Sequence, residues 1–157
     1  METVTISSSL SFSETQEAFE ATIPALDLTF QTYIAKGDYA AARAALEALP
    51  ALNNFILPPR NFTGLLLAIG QSGQALGYEV GNPLTASSII RYNLDIALHT
   101  PRRVLLRADG DKVEFKYDLL APLVAKYNIP EVNDVAKKLD AKITTALRQA
   151  GGYDFSG

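Results

Sequence analysis

The chain has 157 residues, 48% of them hydrophobic and 20% charged, with a formal net charge of −3. That length fits one ordinary domain able to bury about two-thirds of its unfolded surface, and the composition is far from the disordered regime. The absence of cysteine excludes disulfides, thiol nucleophiles, zinc knuckles and iron–sulfur sites together, and the mild negative charge argues against a nucleic-acid partner.

The opening METVTISSSL has no charged segment followed by an apolar one, so it does not read as a signal peptide. The longest apolar run, from Gly64 to Gly70, falls far short of the roughly 18–20 residues that cross a bilayer. A soluble, cytoplasmic protein without a membrane partner is therefore expected.

Thr3–Ile6 alternates β-branched residues and predicts a short strand. Ser13, with Gln16 three residues on, matches a capping box with Phe12 as its apolar staple. Phe19, Ile23, Leu26 and Phe30 then follow at helical spacing, and Pro24 predicts a break near Thr22–Ile23. A second helix is expected from Asp38 as N-cap through AAARAALEAL to Pro50. Beyond it, Leu52–Arg60 with Pro58 and Pro59 reads as an extended linker.

Phe62–Ile69, short and apolar and closed by Gly70, is expected to be a buried strand. The glycine-rich stretch after it is expected to be a loop with a brief strand at Tyr78–Val80. Asn82-Pro83 opens a further helix, because proline suits the first helical position. Asp109-Gly110 signals a type I′ hairpin. Pairing Ala108 with Asp111 would set Leu106 opposite Val113, Val104 opposite Phe115 and Arg102 opposite Tyr117, all on one face. The same register sets Arg107 opposite Lys112. A short helix begins at Asp118 or Pro122. The last helix begins at Pro130-Glu131, with Val132, Val135, Leu139, Ile143 and Ala146 or Leu147 as its apolar stripe and Asp134, Lys137, Lys138 and Asp140 off it. The termini, residues 1–10 and 151–157, are candidates for fraying. The order β-α-α-β-α-β-β-α-α reads as a single α+β domain over 1–157, with helices on one face of a mixed or mainly antiparallel sheet.

Chemistry concentrates between Gly81 and Tyr117. His99 is the single histidine; as an acid/base it needs an orienting carboxylate, and Asp95 is the nearest in sequence. Arg102 falls on the apolar face of the hairpin, where a guanidinium must find a carboxylate, a carbonyl or a bound anion. Tyr117 and Tyr92 are its candidate neighbours in a ligand site. Neither G-x-S-x-G nor a phosphate-binding glycine loop is present. A lone histidine and no cysteine leave no multi-histidine metal centre, so no metal and no cofactor are expected.

Asn82-Pro83 after Gly81, Arg91-Tyr92-Asn93, Thr100–Leu106, the Asp109-Gly110 turn closed by Tyr117, and Asn133–Asp140 occur in one order and spacing. In these motifs the chain resembles the domain of unknown function family 302, and SFSETQEAFEA resembles that family's first-helix start. The resemblance covers most of residues 3–149. It implies a compact α+β domain, often a homodimer, with no agreed activity and no catalytic residues to carry over. Three functions are consistent with these readings. The first is binding of a small, partly apolar, anionic or aromatic ligand at Arg102, Tyr117 and Tyr92. The second is a cofactor-independent lyase, isomerase or cyclase using His99 with Asp95. The third is a structural module acting as a homodimer.

Overall fold

A computed structural model describes residues 1–50 and 57–153. Five strands, β1 (Thr3–Ser7), β2 (Arg60–Asn61), β3 (Gln74–Val80), β4 (Arg102–Asp109) and β5 (Lys112–Asp118), form one antiparallel sheet in the order β1-β5-β4-β3-β2. The helices are α1 (Phe12–Thr22), α2 (Thr29–Ala35), α3 (Tyr39–Glu47), α4 (Phe62–Ala68), α5 (Pro83–Ile90), α6 (Leu120–Val124) and α7 (Pro130–Ala150). Two 3₁₀ segments, Leu94–His99 and Ala125–Tyr127, complete the α+β fold.

The period of two along each strand sends alternate side chains to opposite faces. Leu76, Tyr78 and Val80 of β3, Val104 and Leu106 of β4, Val113, Phe115 and Tyr117 of β5, and Ile6 of β1 are buried on the face that meets the helices. Phe19 of α1 stands edge-on to Tyr78 at 4.9 Å and tilted against Phe115 at 5.1 Å, joining helix to sheet. The α7 stripe of Val132, Ala136, Leu139, Ile143 and Leu147 closes the layer. The N-terminal strand is held along its length by β5, and the Ser9 amide donates to the Gly151 carbonyl at 2.8 Å, docking the start of the tail; residues 154–157 lie outside the described residues.

Several local expectations are corrected. The cap of α1 is Ser11, whose hydroxyl accepts from the Glu14 amide at 3.1 Å, so the S-x-x-E pattern is used two residues earlier than Ser13–Gln16. Phe12 thus lies inside the helix, buried, rather than before it as a staple. The break at Pro24 is present: α1 ends at Thr22. Asp38 caps α3 as expected, accepting from the Ala41 amide at 3.1 Å. Of the expected linker, residues 52–56 lie outside the described residues.

Phe62–Ile69 is no buried strand. Phe62–Ala68 forms α4, capped by Asn61, which accepts from the Gly64 amide at 2.9 Å; its leucines favour helix, and little in it is β-branched. It buries no residue, and Leu65 and Leu67 are 62% and 64% exposed. The strand that sequence reading confined to Tyr78–Val80 runs from Gln74, across Gly77. A Cβ at Gly77 would lie 2.8 Å from the Phe62 ring, so glycine there admits the aromatic onto the outer face of the sheet.

The hairpin keeps its predicted faces but not its register. Ala108 pairs with Val113, Leu106 with Phe115 and Val104 with Tyr117, a shift of two residues along β5. Asp109 and Lys112 close the ladder, so the loop residues are Gly110-Asp111, with positive φ (60°) at Gly110 alone; this is the type II′ pattern, glycine first. Arg107 consequently faces Glu114, at 3.5 Å, instead of Lys112. Glu114, buried on the outer face, also has Lys112 at 3.8 Å and Lys116 at 3.6 Å, so the shift exchanges a like-charge pair for a cluster of opposite charges.

Candidate functional site

The connection from α5 to β4 builds the site. Asn82 caps α5, accepting from the Leu84 and Thr85 amides at 2.9 and 3.4 Å, and Pro83 supplies a first helical residue that has no amide to satisfy. The donors of this helix start are thus already engaged by its own cap. After α5 the chain passes through Leu94–His99 and a cis Thr100–Pro101 peptide into Arg102, the first residue of β4.

Arg102 is 7% exposed and pairs across the sheet with Val80. Its Nη1 donates to the His99 carbonyl at 2.7 Å and its Nη2 to the Asp118 carbonyl at 2.6 Å, tying the strand's entry to the end of β5. Its buried Nε has no hydrogen-bond partner, and no carboxylate lies within ion-pair distance of the guanidinium among the described residues. A cation bonded to carbonyl dipoles, with no carboxylate in direct contact, keeps a positive field in a low-dielectric setting. Tyr117 is not its cross-strand partner, which the shifted register makes Val104's. The two still meet diagonally, with the guanidinium carbon 5.7 Å from the ring centroid.

Arg102 borders a cleft of about 180 Å³ between α5, the Thr100–Pro101 turn and α7. Val80, Ala86, Ile89, Pro101 and Leu139 supply apolar walls and Asn82, Thr85 and Thr100 a polar margin, so the cleft is largely apolar beside a buried cation.

The other candidate residues are distributed differently. The Tyr117 hydroxyl donates to Asp140 Oδ1 at 2.6 Å; burial, followed by this carboxylate contact, pushes its pKa well above the ordinary tyrosine range. Tyr92 is 41% exposed, receives a hydrogen bond from Arg91 at 3.2 Å and does not line the cleft. Nor does Asp95 orient His99. Four residues apart on a 3₁₀ segment of about three residues per turn, they point to different sides. His99 Nε2 instead meets the Tyr127 hydroxyl at 3.2 Å, and burial, then Lys126 and Arg102, lower its pKa. The neutral form of His99 is accordingly favoured beside two cations, and the structure joins it to Arg102 through its backbone carbonyl rather than its ring.

Asp140 was placed off the apolar stripe by sequence reading, yet it is buried. It accepts from Tyr117, from the Leu120 amide at 2.8 Å and from the Ala121 amide at 2.9 Å, which fixes the start of α6. Its helical phase carried the signal: it lies four residues after Ala136 and three before Ile143, both buried. Among the described residues, no group of three or more His, Asp or Glu side chains could hold a metal ion, and no helix is long and apolar enough to cross a membrane.

Residues 70–150 match the family model described as the domain of unknown function DUF302. The crystal structure of an uncharacterized conserved DUF302 protein from Bacillus stearothermophilus superposes with a TM-score of 0.69 at 18% identity, over 96% of this chain and 98% of that one. At that identity the likeness is one of fold. No curated protein matches the chain.

Proposed function

The chain belongs to the DUF302 family, and from that premise we propose that it is a binding domain for a small, partly apolar anion whose apolar part is seated in the Arg102 cleft. The observation that carries this reading is a buried arginine with no carboxylate partner among the described residues, at the wall of a largely apolar cleft. An apolar cavity of roughly 150 Å³ accommodates a benzene-sized group, so about 180 Å³ suits one ring or a short branched chain. The guanidinium field favours an anionic ligand over a neutral one, although both Nη groups are already bonded to carbonyls. Arg102 thus acts by field and by shaping the wall, and Tyr117 supports it from the sheet.

Titration of the protein with 4-phenylbutyrate, followed calorimetrically, tests this. Saturable binding is expected, with a loss of at least tenfold in Ala86→Leu, whose added methyl groups occupy the cleft. Unchanged affinity in that variant would place binding elsewhere and refute the reading.

A further inference from the structure

A second cleft, of about 380 Å³, lies on the other side of the α5 start, between α5, α7 and the end of α3. The two clefts adjoin along Asn82, Thr85 and Leu139, which line both. Their chemistry differs. The first is walled by apolar groups around Arg102, whereas the second carries Lys138 and Lys142, one turn apart on α7. Lys138 pairs with Asp134 at 2.8 Å where both are largely exposed, a weak tie. Lys142 has no ion pair among the described residues. The carboxylate on the opposite wall, Glu47, is already bonded to Arg43 at 2.7 Å. The second cleft therefore has a net positive charge.

From this juxtaposition we infer that the site takes an amphipathic carboxylate long enough to straddle α5, its apolar end beside Arg102 and its carboxylate at Lys138 and Lys142. The inference rests on the proposed binding reading and assigns the two ends of the ligand. Arg102 is a poor partner for a direct ion pair, because its Nη groups are spent and its Nε is buried. The lysines are accessible, and Leu139, against which the apolar end packs, is next in sequence to Lys138. A short carboxylate fills the first cleft without reaching them; a longer one spans both.

Calorimetric titration with phenylacetate, 6-phenylhexanoate and 6-phenylhexanol tests the assignment. 6-Phenylhexanoate is expected to bind about fivefold more tightly than the alcohol, the scale of two solvent-exposed ion pairs. That difference is expected to vanish in the Lys138→Gln/Lys142→Gln double variant while affinity for the alcohol and for phenylacetate is unchanged. If the carboxylate keeps its advantage in the double variant, the assignment of the lysines is overturned and the apolar cleft stands. If no phenyl compound binds the unmodified protein, the binding reading falls and takes this inference with it.

Discussion

Three donors converge on Asp140, a carboxylate inside an apolar helix stripe: the Tyr117 hydroxyl and the amides of Leu120 and Ala121. Truncating such an acceptor strands its partners, and each buried unsatisfied donor costs about 1–3 kcal/mol. Asp140→Ala is expected to lower unfolding stability by about 3 kcal/mol, whereas Tyr117→Phe, which leaves two donors on the carboxylate, costs about 1 kcal/mol; urea denaturation of both variants compares them. His99 carries a pH signature of the opposite kind from a salt-bridged histidine. Its pKa in the fold is lowered by burial and by Lys126 and Arg102, so the unfolded chain binds the proton more readily. Its stability contribution is thus present above the unfolded pKa near 6.5 and is lost as pH falls through the lower folded value. The difference in melting temperature between the protein and His99→Gln, measured from pH 7.5 to 5, is expected to move against the unmodified protein as pH falls. A difference that stays constant over that range contradicts a depressed pKa.

At the level of elements, the reading from residues succeeded where the local chemistry had one solution. Asp38, the Asn82-Pro83 pair and the Pro24 break each act within one turn of their own position, and the structure uses them as read. The hairpin shows how far such signals extend. The apolar alternation fixes which face each strand buries, but a shift of two residues preserves that alternation, so the register was decided by charge and by the turn. Glu114 facing Arg107, and glycine as the first loop residue, favour the observed pairing over the one predicted from Asp109-Gly110. Gly110→Ala places a Cβ in open space, so its cost is conformational only: about 1–3 kcal/mol for an L-residue held at a positive φ that a type II′ turn reserves for glycine. Denaturant unfolding of this variant is expected to show that loss with a native-like circular dichroism spectrum. Helix α4 was missed because a short apolar run does not distinguish strand from helix by periodicity.

For the whole molecule, the α+β class and the antiparallel hairpin were legible because strand alternation and helix stripes repeat through the chain. The cleft was not. It is assembled from Val80, Ala86, Pro101 and Leu139, which come from four different parts of the fold and are unremarkable one by one. Arg102 was the single residue that announced it, by standing on the wrong face of a strand. Asp95 came into the predicted site through closeness to His99 in sequence, and the geometry of the 3₁₀ segment separates the two; Tyr92, exposed just before that segment, does not line the cleft. What remains is a compact arrangement: a carbonyl-bound guanidinium, an apolar wall, and a basic cleft just across α5. The most direct measurement is an NMR titration of the protein with 4-phenylbutyrate that follows the Arg102 Nε–H resonance and the methyl groups of Ile89 and Leu139. The account predicts that all three shift together and saturate with a single dissociation constant. Binding that leaves the Arg102 resonance and both methyl signals unmoved contradicts it.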